Sequence, residues 1–297
     1  MITATCNLCA HATADIVPRA VPANAPSSGI DIVRCRGCGL LYAHPMPGPD
    51  ALLTRYGDDY FHCPTPIEGG YEDYRADEPL IRKTFRLRLP LFLPEVSVDA
   101  RAVLDVGCAT GAFLEVMRER GWTATGIEVS PAVRDTARAK GFAVTEKTLE
   151  QAGFAPASFD LITMWDVIEH LHDPLSALKA CHQLLKPGGV IVITTPDASA
   201  PFARLTGKRW MGFRSVGEHV YFFGRKSIRA YLAAAGFEAR RVTSVGKFFS
   251  AERLLTRLVY YTRVFRLLRP LQAALRMPVD LYVNSGDTMC AVGRKPI

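Results

Sequence analysis

No apolar run in these 297 residues approaches the roughly 20 needed to span a bilayer. The opening stretch Met1-Ile2-Thr3-Ala4-Thr5-Cys6 has no basic region leading into an apolar core, so the expected location is cytoplasmic. The chain also lacks Gly-Lys-Ser/Thr, which excludes the usual polyphosphate loop, and Gly-x-Gly-x-x-Gly, which excludes the dinucleotide fingerprint. Charge is modest: 22% of residues are charged against 48% hydrophobic, a globular and not a disordered balance.

The formal charge of +7 would suggest nucleic acid were it spread over the surface. Its distribution argues otherwise, because Lys247 to Arg276 holds one lysine, six arginines and one glutamate, nearly the whole excess. Within this stretch Arg253 and Arg257 fall opposite Leu254, Leu255, Leu258 and Val259 on a helical wheel. Arg263, Arg266 and Arg269 fall opposite Val264, Phe265, Leu268 and Leu271. The two apolar faces diverge, which predicts a helical pair bent near Tyr261-Thr262. Such a pair suits a lid, a dimer face or a peripheral contact at the inner membrane surface, or plain packing with solvated arginines.

Four of the eight cysteines form two tight turns, Cys6-Asn7-Leu8-Cys9 and Cys35-Arg36-Gly37-Cys38. Two such turns supply four soft ligands, Cys6, Cys9, Cys35 and Cys38, for a closed tetrahedral Zn²⁺ site with no position open for catalysis, so the metal is read as structural. The 25 residues between the pairs, rich in Pro, Ser and Gly, suit a long turn between strands of a zinc ribbon. His44-Pro45-Met46-Pro47-Gly48-Pro49 interrupts regular structure and marks a boundary. Beyond it Tyr56, Tyr60, Phe61, Tyr71 and Tyr74 suggest either a cap over a ligand or packing between modules, ahead of a helix from Glu78 to Leu89.

Organisation centres on Val103-Leu104-Asp105-Val106-Gly107-Cys108-Ala109-Thr110-Gly111-Ala112-Phe113-Leu114, an apolar strand, a glycine turn and a helix. The glycines let a ligand approach the backbone, and the helix start aims free N–H groups at it. Thr123 to Val129 reads as the next strand and delivers Glu128, 17 residues beyond Gly111, where a carboxylate can accept both hydroxyls of a ribose. Downstream, strand and helix signals alternate. Helices are expected at Pro131 to Lys140, Pro174 to Leu185 and Ser227 to Ala235, and strands at Phe142 to Thr148, Phe159 to Val167, Val190 to Thr195, Phe237 to Val245 and Asp287 to Arg294. The pattern is that of a parallel sheet covered on both faces.

Asp-x-Gly-x-Ala-x-Gly followed by this acidic strand end resembles the class I S-adenosylmethionine (SAM) methyltransferases, with Ala109 in place of the usual middle glycine. The resemblance covers roughly Arg101 to Ile297. It implies an α/β Rossmann-like seven-stranded sheet in the order 3-2-1-4-5-7-6 with strand seven antiparallel. The expected organisation is thus a zinc ribbon at 1–45, a linker and cap at 46–95, and a SAM-binding domain at 96–297 with a helical insertion at 250–276 before the last strand. By the same resemblance Asp105, Gly107 and Gly111, with Cys108 and Ala109, shape the methionine end of the cofactor site. Glu128 and Val129 hold the ribose, Leu149 lies at the adenine, and Trp165 borders the site.

Strand four should bring Trp165-Asp166-Val167-Ile168-Glu169-His170 to the reaction centre, since ligands lie beyond the carboxyl ends of such strands. This run resembles small-molecule methyltransferases, including the ubiquinone-pathway O-methyltransferases, and lacks the Asn/Asp-Pro-Pro-Tyr of enzymes that methylate base amines. His170 can act as base, or Asp166, Glu169 and His170 can gather a divalent ion; capping of the loop is the bland alternative for Glu169 and His170. His219, in Glu218-His219-Val220-Tyr221-Phe222-Phe223, is a second candidate at the substrate or else a buried structural histidine. The function implied is methyl transfer from SAM to a small-molecule or lipid- or glycan-linked acceptor, most simply at oxygen. The alternatives are an RNA methyltransferase using ribbon and basic helices, and a non-catalytic SAM-binding scaffold.

Overall fold

The computed structural model describes residues 2–18, 29–54, 56–57, 61, 74–213, 216–251, 254 and 280–297. The chain opens with four antiparallel strands, β1 (Ile2–Thr3), β2 (Thr13–Val17), β3 (Asp31–Cys35) and β4 (Leu41–His44). In β3 and β4 Ile32, Val33, Tyr42 and Ala43 are buried, so this small sheet packs on the rest of the molecule. Its fifth strand comes from far along the chain: Tyr221 and Phe222 pair with Tyr42 and Leu41.

A short helix α1 (Pro49–Leu53) starts at a proline in its first turn and buries Leu52. Helix α2 (Glu78–Arg88), predicted from Glu78 to Leu89, lies against α3 (Ala112–Arg118), with the Phe85 and Phe113 rings edge to face at 5.2 Å. Lys140, at the end of α4 (Pro131–Ala139), reaches Glu78 at 2.6 Å and Glu115 at 2.9 Å and ties the three helices together.

The large sheet contains β5 (Ala102–Val106), β6 (Thr123–Ile127), β7 (Ala143–Thr145), β8 (Phe159–Trp165), β9 (Leu185–Pro196), β11 (Glu238–Ser244) and β14 (Thr288–Arg294). Their order is β11-β14-β9-β8-β5-β6-β7. Counted from the glycine-turn strand, that is the predicted 3-2-1-4-5-7-6, with β14 antiparallel to both its neighbours. Val103, Leu104 and Val190 through Ile193 are fully buried, as strands covered on two faces require. The covering helices include α5 (Pro174–Leu184), whose N-cap Asp173 accepts the Ser176 N–H at 3.0 Å, and α7 (Arg225–Ala234), which follows α6 (Pro201–Thr206) and β10 (Tyr221–Phe222).

Two readings of the sequence need correction. Lys186-Pro187-Gly188-Gly189 was expected to separate helix from strand, yet β9 begins at Leu185. The register jumps from Phe159↔Leu185 to Leu161↔Val190, so these residues bulge out of the ladder, Gly188 at φ +74°. A two-stranded sheet, β12 (Lys247–Ser250) with β13 (Asp280–Val283), was not anticipated; it rests on α2, with the Lys83 ammonium 4.3 Å from the Phe248 ring centre. Of the expected helical insertion only 250, 251 and 254 fall within the described residues; Arg253, Arg257 and the arginines to Arg276 lie outside them, as do Tyr60 and Tyr71. No helix among the described residues is long and apolar enough to cross a membrane.

Candidate active site

The turn after β5 is built from left-handed backbone: φ is +74° at Gly107, +47° at Ala109 and +80° at Gly111. A Cβ on Gly107 would stand 2.6 Å from Val167 Cγ2, so only glycine lets the ends of β5 and β8 come this close. The N–H groups of Gly107 and Cys108 both donate to the Ile127 carbonyl, at 2.8 and 3.0 Å, which brings the turn over the end of β6.

Glu128 is clamped there. One carboxylate oxygen accepts the Ala109 N–H at 2.9 Å and the other the Ser130 N–H at 2.8 Å. The side chain is 6% exposed, and burial raises its pKa against the lowering effect of the Ser130 and Ala109 N–H groups. Each oxygen retains a further lone pair, the acceptor set that a vicinal diol needs.

Glu128 lines a cavity of about 350 Å³ at the carboxyl ends of β5, β6 and β8. Gly107, Ala109, Val129, Leu149 and Trp165 share that lining, and α1 with Tyr56, Phe61 and Tyr74 supplies an apolar wall. Size and make-up match a small-molecule site. Three residues expected at the cofactor, Cys108, Gly111 and Asp105, are not part of this lining. Cys108 is buried in the cluster of Leu114, Phe142 and Val144. A Cβ on Gly111 would face Ala137 and Phe142 instead of the cavity. Asp105 is 1% exposed and accepts the Thr163 hydroxyl at 2.6 Å.

Burial, reinforced by the Glu128 charge, pushes Asp105 up to about 8 in spite of the Thr163 hydrogen bond. Between about pH 4 and pH 8 the folded protein therefore holds a proton that the unfolded chain has released, and stability falls as pH rises through that window. Asp105→Asn keeps an acceptor for Thr163 and removes the titration. Urea midpoints measured across the window should flatten in the variant, and an unchanged slope would refute the assignment.

The turn Ile168–His170 carries a buried carboxylate, Glu169, and an imidazole, His170, that shares the cavity lining with Glu128. His170 Nδ1 lies 3.1 Å from the Glu218 carbonyl. A carbonyl cannot donate, so Nδ1 carries the proton and Nε2 keeps its lone pair. Burial lowers His170 to about 4, against the opposing influence of Glu218 and Asp166, so the ring is neutral near pH 7. His219 stands edge to face with it, ring centres 4.7 Å apart. Burial and the His170 ring lower His219 to about 3, against the opposing influence of Asp166 and the Gly212 backbone. His219 stands behind His170 and is not part of the cavity lining.

Glu169 is 1% exposed, and neither of its oxygens finds a hydrogen-bond partner among the described residues. Burial, with the Asp166 charge, raises it well above the carboxylate range. One ligand atom from each of Glu169, His170 and His219 falls within 4.8 Å of the others, so His219 and not Asp166 completes this group. Asp166, at φ +55°, accepts the Thr194 hydroxyl at 2.8 Å. Burial would raise its carboxyl, but Lys247 and Arg88 hold it below the usual range. Trp165 packs against Phe85, Phe92 and Phe113, its indole N–H without a partner among the described residues.

In the N-terminal sheet the sulfurs of Cys6, Cys9, Cys35 and Cys38 lie within 4.8 Å of one another. Cys6 and Cys38 are 3.6 Å apart and Cys9 and Cys35 3.5 Å. Sulfurs at the 2.3 Å bond length of a tetrahedral Zn²⁺ would be separated by about 3.8 Å, a spacing the cluster approaches closely enough to suit one ion.

The family model described as a methyltransferase domain matches residues 74–242, beyond the four cysteines. The ubiquinone biosynthesis O-methyltransferase of Pseudomonas paraeruginosa is 41% identical over 168 residues, 52% of this chain and 72% of its own length. That of Xanthomonas campestris is 30% identical over 171 residues, 54% and 72% of the two chains. A SAM-dependent methyltransferase from Archaeoglobus fulgidus superimposes on 75% of this chain and 99% of its own with TM-score 0.52 and 19% identity. One from Thermotoga maritima covers 76% and 94% with TM-score 0.51 and 21% identity. These structures share the fold, and the relatives lend no support to the RNA-acting or non-catalytic alternatives. With the glycine turn, the clamped acid and the sheet order in place, the chain belongs to the class I SAM-dependent methyltransferases.

Proposed function

We propose that this enzyme methylates a hydroxyl of a small acceptor with apolar surface, free or carried on a lipid or glycan, and that His170 takes the hydroxyl proton. The observation that carries the reading is the neutral His170 ring, its Nε2 lone pair preserved, in the same cavity as Glu128. When bound, SAM would supply a methyl carbon on a sulfonium, open to attack by the acceptor oxygen with a neutral thioether as the leaving group and the hydroxyl proton passing to His170. Glu128 would accept the two ribose hydroxyls, the bare turn at Gly107 would admit the methionine end, and Leu149 would flank the adenine. The wall of Leu52, Leu53, Tyr56, Phe61 and Tyr74 would align the acceptor and exclude water. The relatives named for ubiquinone biosynthesis act on oxygen, which agrees with this choice of atom.

The orphaned Glu169 carboxylate favours a second reading of the same step. Glu169, His170 and His219 would together hold a divalent cation, and the cation would acidify the hydroxyl in place of a free base. In both readings the four cysteines hold a structural Zn²⁺, for which the sulfur spacing is the support. Incubation with methyl-labelled SAM and fractionated cell extract is expected to place label on oxygen of a small, apolar hydroxyl compound. Label in RNA, or on nitrogen, would overturn the proposal.

A further inference from the structure

The cysteine-bearing sheet is fastened to the histidine loops by three separate ties. Val220, fully buried and adjacent to His219, donates its N–H to the Glu169 carbonyl at 2.8 Å and accepts the Ala43 N–H of β4 on its own carbonyl, also at 2.8 Å. The Tyr221 hydroxyl donates to the His172 carbonyl at 3.3 Å, while Tyr221 pairs with Tyr42 across β4 and β10. Asn7, between the two cysteines of the first turn, donates its amide N–H to Asp173 at 3.0 Å and accepts the Tyr231 hydroxyl at 3.0 Å. Asp173 caps α5 and lines the cavity three residues after His170. None of these ties touches the glycine turn or Glu128.

We infer that the cysteine sheet is a positioning element for the acceptor side of the site, with Asn7 and Tyr221 as positioning residues that hold the His170 and His219 loops in register. Two loops far apart in sequence, 168–173 and 216–222, bond directly to each other, and each is also anchored to the first 44 residues, the later one through Ala43 and β4 and the earlier one through Asn7. An ion among the four thiolates fixes the turn that presents Asn7, so its removal frees Asn7 and loosens the histidine pair, while the SAM end, held by β5 and β6, stays intact. This coupling rests on the Zn²⁺ reading; the role of Asn7 does not.

The test is hydrogen exchange on the full chain as purified, after stripping with a strong zinc chelator, and in Asn7→Asp. The aspartate is isosteric and still accepts from Tyr231, but cannot donate to Asp173. Stripping and Asn7→Asp should each raise exchange at 168–173 and 216–222 by about tenfold or more. Exchange at 105–112 and SAM affinity by calorimetry should stay within about twofold. Nitrogen NMR of the His170 ring should show the Nδ1-protonated tautomer giving way to a mixture, a signature that general loosening of the N-terminal sheet would not produce. Exchange that rises only within residues 2–44, with the tautomer unchanged, overturns the inference. If the purified protein holds no metal, the Zn²⁺ reading fails and Asn7→Asp alone decides the positioning role.

Discussion

Glu128→Ala should weaken SAM binding by at least about a hundredfold while leaving the chain folded. A hydrogen bond to a charged acceptor contributes about 1.5–3 kcal/mol, and two ribose hydroxyls on one carboxylate amount to about 3–6 kcal/mol, a factor of roughly 10² to 10⁴. The substitution also frees the Ala109 and Ser130 N–H groups, so the turn that the methionine end crosses loses its tether to β6. Glu128→Gln keeps one acceptor oxygen but must turn an NH₂ toward either a backbone N–H or the ribose, and should lose at least about tenfold. Calorimetry with SAM and with its demethylated product reads both variants. Wild-type affinity in Glu128→Ala would mean that the nucleoside lies elsewhere, and the assignment of the whole cavity would fall with it.

What the sequence made legible follows from how local each signal is. The glycine turn and Glu128 were readable because positive φ demands glycine and because a strand end fixes where one carboxylate must point. The sheet order came from resemblance, and long apolar strands such as Val190 to Thr195 left little choice of partners. Side-chain direction was another matter. Asp105 and Cys108 belong to the same motif as Gly107, yet they alternate into the core, where Thr163 and Phe142 wait for them. Only the neighbouring elements reveal this. Strand β10 has two residues, too few for any period, and its partner lies about 180 residues away, so the link between the cysteine sheet and His219 was invisible. The replacement of Asp166 by His219 beside Glu169 has the same origin: Thr194, Lys247 and Arg88 claim Asp166, and all three come from other strands or helices.

His170→Ala should lower kcat by about 10² to 10⁴ with SAM affinity within about twofold, once the labelled acceptor is in hand. The ring neither contacts Glu128 nor supports the glycine turn, so its loss touches the proton and not the nucleoside. The same variant separates the two readings of the step when set beside Glu169→Gln. A free imidazole base has no use for a Glu169 charge, and replacing this orphaned, 1% exposed carboxyl, which burial favours in its protonated form, by a neutral amide should then leave kcat within about threefold. A cation held by Glu169, His170 and His219 needs that charge; the amide would cost as much as His170→Ala, and added Mg²⁺ or Mn²⁺ would restore part of the loss. His219→Gln extends the comparison. Under the base reading His219 only walls in His170 and its loss is modest, whereas under the metal reading it removes a ligand and all three variants converge on one rate. Full activity in His170→Ala would exclude both and leave alignment of acceptor and sulfonium as the source of catalysis.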